Sequence, residues 1–120
     1  MLKPLLDSAS RTEPLVRIYS GCIVFNAPAA RLLGFKEGDA VSVMQDDRDG
    51  YVYVGNCVTK QSYTLTARRN TFKVNNSPLC SRLAECLEGY GTYRISKDMM
   101  QSDYNGNKYY NVFKKKYGRN

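Results

Sequence analysis

The 120-residue chain predicts a mainly β fold with two short helices, an α+β domain written as two tandem strand–strand–helix–strand–strand units. Three observations predict it. Apolar residues alternate with polar ones over short stretches bounded by Gly, Asn and Asp, which is the period of half-buried strands. Two short leucine-bearing segments open on Asn or Ser with Pro and close on Gly, as short helices do. The order of these pieces is the same in both halves of the chain. A chain that writes one such unit twice is expected to fold as matching halves around one core.

Residues 1–14 hold Pro4, Ser8, Ser10, Thr12 and Pro14 without a sustained period and read as an N-terminal arm. A single domain is expected over 15–120, in units 15–57 and 62–114 followed by a basic C-terminal tail. Leu15–Ser20 fits a strand with Val16 and Ile18 on one side and Arg17 and Tyr19 on the other. Gly21 punctuates, and Cys22–Phe25 is the second strand. Asn26 caps a helix over Ala27–Leu33, where Pro28 is tolerated because first-turn amides lack helical partners, and Gly34 ends it in the left-handed conformation. After the turn Lys36-Glu37-Gly38-Asp39, Val41 and Val43 lie on a strand, and Asp46-Asp47-Arg48-Asp49-Gly50 forms a hairpin loop back to Tyr51–Gly55. That acidic loop lacks the twelve-residue calcium pattern and its closing glutamate.

The second unit repeats this order. Tyr63–Arg69 is a strand, Asn70 stands where Gly21 stood, and Thr71–Val74 is the next strand. Ser77 reads as the cap of a helix with Pro78 at its first position and Leu79, Leu83, Cys86 and Leu87 on one face; Gly89 ends it. Thr92–Ser96 and Lys108–Lys116 are strands joined through an Asn105-Gly106 turn.

No apolar run is long enough for a transmembrane helix or a signal peptide, so no membrane association and a cytoplasmic location are expected. Cys22, Cys57, Cys80 and Cys86 are irregularly spaced, with no Cys-x-x-Cys and no histidine anywhere in the chain. These spacings argue against a zinc site, so four free thiols and no cofactor are expected. The lack of histidine also removes the commonest general base, no phosphate-cradling glycine loop is present, and a non-enzymatic role is expected. Charge is the stronger guide. Residues 1–60 balance seven Lys/Arg against seven Asp/Glu, whereas residues 61–120 set eleven against four, which is the whole net charge of +7. Positive charge confined to part of a small domain points to an anionic partner, most often nucleic acid.

Residues 21–43 supply a further clue in Gly21-Cys22-Ile23-Val24-Phe25, Leu33-Gly34-Phe35 and Lys36-Glu37-Gly38-Asp39-Ala40-Val41. This stretch, about a third of the chain, resembles the AbrB/SpoVT-type swapped-hairpin family of bacterial transcription regulators. In that family two short strand–strand–helix–strand–strand chains interleave into one dimeric barrel. The resemblance therefore implies two swapped-hairpin-like units forming one intrachain pseudo-dimer, as a monomer or as a homodimer. The chain departs from the family at three places: Cys22 replaces an arginine, Asn26 a proline, and Ala30 a basic helix residue, although Arg31 remains.

The function this implies is double-stranded DNA binding, with the second unit supplying the charge. Arg68, Arg69 and Lys73 are the first candidates, because they occupy the loop and strand that match the family's DNA-facing edge. Arg17 and Arg31 are the counterparts from the first unit. Lys114, Lys115 and Lys116 read as a phosphate-tracking or solubilising tail, and Tyr109, Tyr110, Phe113 and Tyr117 as packing or base-stacking residues. The alternative is a noncatalytic, antitoxin-like protein-interaction module that kept the fold without the DNA surface.

Overall fold

A computed structural model describes residues 13–117. Its strands are β1 (Leu15–Ile18), β2 (Cys22–Phe25), β3 (Ala40–Gln45), β4 (Val52–Gly55), β5 (Ser62–Thr64), β6 (Thr66–Arg68), β7 (Thr71–Asn75), β8 (Gly91–Ser102) and β9 (Lys108–Lys116). Helix α1 spans Ala27–Leu33 and α2 spans Ser77–Cys86. The described residues are thus mainly β with two helices, neither of them long and apolar enough to cross a membrane.

One antiparallel sheet takes the order β5-β3-β4-β9-β8-β1-β2-β7-β6. Its two edge strands, β5 and β6, are separated in the chain by Leu65 alone, so the sheet is nearly closed on itself. The sequence predicts a single strand here, over Tyr63–Arg69. The stretch is divided because it serves two neighbours: β5 pairs with β3, and β6 pairs with β7. Between them Leu65 buries its side chain and donates its amide to the Asp39 carbonyl at 2.8 Å.

The helices begin as the sequence predicts, with one shift. Asn26 Oδ1 accepts the amides of Ala29 (3.0 Å) and Leu15 (2.9 Å), so a single side chain caps α1 and ties down the start of β1. In the second unit the cap is Asn76, not Ser77: its Oδ1 accepts from Leu79 N at 2.8 Å, and Ser77 is already helical. Asn76–Ser77–Pro78 therefore matches Asn26–Ala27–Pro28 position for position. Gly34 ends α1 at φ 72°, where an L side chain would be strained.

One apolar core runs through both halves. Val16, Ile18, Ile23 and Phe25 meet Phe72, Val74, Tyr93 and Ile95, with Ala29, Leu33, Cys80 and Leu83 from the helices. Phe35 bridges Phe25 and Phe72, its ring centroid 5.2 and 5.6 Å from theirs. A second small cluster, Tyr53, Cys57 and Tyr109, lies on the other side of β4 and β9, where Cys57 Sγ and the Tyr109 hydroxyl are 3.2 Å apart. Gly55 allows this approach: a Cβ there would fall 2.6 Å from the Lys108 carbonyl oxygen.

Two ends of the described region differ from expectation. Residues 1–12 of the expected arm lie outside it, but Pro14 already accepts the Ile95 amide at 2.9 Å and Glu13 pairs with Arg94 at 2.9 Å. Lys114–Lys116 are not a tail; they complete β9 with the bounds expected for that strand, Lys114 and Lys115 both exposed, and the Tyr117 amide bonds the Thr92 carbonyl. Strand β8 also runs on past Ser96, with its register to β9 shifting between Ile95 and Met100.

The far end of the β8–β9 hairpin is held to the β3–β4 turn by Gln101 Nε2, which donates to Asp46 Oδ2 at 2.9 Å. That bond, with the Arg48 amide next, lowers the Asp46 carboxyl to about 2. A carboxyl lowered on folding stabilises the fold above its ordinary value and loses that contribution as pH falls toward 2. The thermal midpoint is accordingly expected to drop between pH 4 and pH 2, and to drop less in Asp46→Asn, which has no carboxylate to protonate; thermal melts of both proteins at the two pH values check this.

Candidate nucleic-acid interface

Strand alternation decides which residues face outward on β1, β2, β7 and β6. With Val16, Ile18, Ile23, Phe25, Phe72 and Val74 buried, Arg17, Val24, Lys73, Thr66 and Arg68 take the opposite face. The registers pair Arg17 with Val24, Val24 with Lys73, and Lys73 with Thr66, so these four form one row across four strands. Arg17 and Lys73 are two strands apart, about 10 Å at the backbone. Arg68 lies on the same face of β6, two residues from Thr66, and is exposed, as is Arg17. The Arg17 guanidinium sits 5.1 Å from the centroid of the Tyr19 ring, a cation–π contact that narrows its range.

The β6–β7 turn extends this face toward α1. Arg69 adopts φ 55°, the one left-handed backbone among the described non-glycine residues. For an ordinary L residue that costs on the order of 1 kcal/mol, and glycine would relieve it. Arg69 and Asn70 line a shallow depression of about 320 Å³ together with Arg31 and Lys36, over a floor that includes Phe35 and Phe72. Arg31 stands in the last turn of α1, where a cation complements the helix dipole. Lys36 follows the Gly34 exit. The nearby Asp39 carboxylate accepts the Lys36 amide at 2.9 Å and Asn56 Nδ2 at 3.3 Å.

Ion pairs among the described residues are Arg48–Asp46, Arg82–Glu85 and Arg94–Glu13. Arg17, Arg31, Lys36, Arg68, Arg69 and Lys73 make none there, so no described carboxylate neutralises them. Five of these six are candidates from the sequence; Lys36 reads there as a turn residue within the family-like stretch, not as a binding candidate. Its signal is its position just past the helix exit, on the side of α1 that carries Arg31.

Lys114, Lys115 and Lys116 are not gathered with the others. Lys114 and Lys115 border an open groove of about 610 Å³ with Tyr51, Leu87, Met99 and Phe113. The Lys116 amide donates to Glu88 Oε1 at 3.1 Å. Tyr109 is buried and Tyr110 packs against the core, which leaves neither ring free to stack a base. Phe113 and Tyr117 flank the Arg94 guanidinium, with centroids 5.7 and 5.1 Å from it. All four cysteines are unpaired: Cys57 and Cys80 are buried, and Cys22 and Cys86 are partly so. Burial pushes the Cys80 thiol up from its ordinary value, keeping it protonated and unreactive at neutral pH. Among the described residues no group of three or more His, Cys, Asp or Glu is arranged to hold a metal ion.

No protein-family model matches the chain, and neither a curated protein nor a solved structure is detectably similar to it.

Proposed function

We propose that this protein binds double-stranded DNA, without catalysis, in the manner of a transcription regulator, through the outer face of β1, β2, β7 and β6. The observation that carries the reading is the grouping of Arg17, Lys73 and Arg68 on that face, continued by Arg69, Arg31 and Lys36 around the adjoining turn. Arginine forks and lysine ammoniums without internal partners are suited to phosphate oxygens.

Strand pairing supports the accompanying reading of two swapped-hairpin-like units in an intrachain pseudo-dimer. Each half lends its first hairpin to the other: β1 pairs with β8 of the second unit, and β5 pairs with β3 of the first. Counterpart strands meet directly at β2–β7 and at β4–β9.

The test is binding to a mixed-sequence duplex at low and moderate salt, with Arg68→Ala/Arg69→Ala alongside. The protein is expected to bind, more weakly as salt rises, and the double variant to lose roughly tenfold in affinity at the lower salt. Equal binding by the two proteins would remove this face from the interaction.

A second reading rests on the groove between Tyr51, Met99 and Phe113. Its lining is apolar and carries a methionine, a side chain that adapts to varied partners. Lys114 and Lys115 outnumber the single carboxylate of its lining, Glu88, which accepts the Lys116 amide. The occupant that fits is an acidic segment of a partner protein with apolar anchors, as in an antitoxin-like interaction module.

A further inference from the structure

The registers allow the two hairpins to be compared residue by residue. Val24 is the partner of Lys73 across β2–β7, and it is also its counterpart, since Ile23 and Phe25 match Phe72 and Val74 as the buried neighbours on either side. The local two-fold axis relating the hairpins therefore passes between Val24 and Lys73. Antiparallel pairing then sends the two hairpin turns to opposite ends of the face. At one end stand Arg68, Arg69 and Asn70; at the other, in the matching positions, stand Tyr19, Ser20 and Gly21.

The helices follow the same rule. The Ala27 end of α1 lies against the Arg69–Asn70 turn, and Ser77 of α2 lies against Gly21, whose carbonyl accepts the Asn76 amide at 3.2 Å. Aligning Asn26–Ala27–Pro28 with Asn76–Ser77–Pro78 puts Ser81 at the position of Arg31. Nearby on α2 the cation is Arg82, and it is paired with Glu85 at 3.2 Å. Two ends of one scaffold thus match in strand register and differ in turn backbone, left-handed at Arg69 and not at Ser20, and in chemistry: Arg31 and Arg69 stand at one, Ser81 and Ser20 at the other. The strained backbone at Arg69 points the same way, because the turn at this end carries an arginine where glycine would be relaxed.

From this we infer that the depression between α1 and the Arg69–Asn70 turn is a phosphate-anchoring site, and that the protein grips DNA from this end only. A symmetric dimer presents two equal anchors to two equal half-sites. This chain presents one, so its DNA site is asymmetric. The inference rests on the DNA-binding reading above and specifies how that face is used.

Salt dependence tests it, since each neutralised phosphate adds about 0.9 to the slope of log K against log salt. Arg31→Ala/Lys36→Ala/Arg69→Gly is measured on a mixed-sequence duplex beside the unmodified protein. Glycine is used at 69 because it adopts the left-handed backbone without strain, and a thermal melt confirms the variant is folded. The slope is expected to fall by roughly 2.7, one increment for each of the three cations removed. Ser20→Arg/Ser81→Arg is then added to that variant; both serines are exposed, and the graft rebuilds the anchor at the opposite end. It is expected to restore roughly 1.8 of the slope. An unchanged slope in the triple variant overturns the anchor while leaving DNA binding in place. A graft that restores nothing overturns the match between the two ends. No binding by the unmodified protein at low salt overturns the DNA reading itself.

Discussion

Replacing Phe25 with alanine is expected to cost about 3–5 kcal/mol of folding stability, the range found when a large buried aromatic is truncated. Phe25 is 1% exposed and touches Phe35 edge-on, and Phe35 in turn packs on Phe72 of the second unit. The loss is therefore not local: it empties the place where α1, the first hairpin and the second hairpin share one core. Domains of this size have roughly 5–15 kcal/mol in total, so the variant is expected to be near the edge of folding at 37 °C. Urea denaturation checks this through a lowered midpoint with an unchanged slope. Two separate transitions would instead mean that the units fold independently, contrary to the single core.

Reversing the charge of the cross-strand row, as Arg17→Glu/Lys73→Glu, is expected to weaken duplex binding by roughly a hundredfold or more, because like charges set against phosphates cost several kcal/mol. The fold is expected to tolerate it. Both side chains lie on the outer face, Arg17 is exposed, and neither makes an ion pair with another described residue. A surface change of this kind alters stability by about 1 kcal/mol or less. Equilibrium binding and a thermal melt on the same sample separate the two effects: weak binding with a normal melt locates the row in the interface, whereas normal binding removes it.

Much of the architecture is legible in the sequence because its signals are local. Asn26 with Pro28, and Asn76 with Pro78, mark helix starts by supplying an acceptor to amides that have no helical partner. The alternation of Val16 with Arg17, and of Phe72 with Lys73, sorts each strand into a buried and an outer side. Adjacent Asn76 and Ser77 are both good caps, which is why the sequence alone places the cap one residue late. Leu65 is harder. Nothing in its neighbourhood distinguishes a continuous strand from one that changes partners, because that choice depends on pairing with β3 and β7.

The candidate site is legible as a set of residues but not as a surface. Arg17 and Lys73 come together only through the β1–β2 and β2–β7 registers, and Arg31 and Arg69 only because α1 lies beside the β6–β7 turn. Lys36 belongs to no period and no basic motif. In the other direction, Lys114–Lys116 read both as the end of a strand and as a tail, because a run of like charge carries no alternation; pairing of Lys116 with Tyr93 places the run in the sheet.

The most direct test of the proposal is a two-dimensional amide NMR titration of the protein with a mixed-sequence DNA duplex at low salt. Shifts are expected to cluster at Arg17, Val24, Arg31, Lys36, Arg68, Arg69, Asn70 and Lys73, with Tyr51, Met99, Phe113 and Lys114 unmoved. Shifts centred on Tyr51, Met99 and Phe113 would contradict this and put the interaction in the groove; a spectrum that DNA leaves unchanged would contradict DNA binding by either surface.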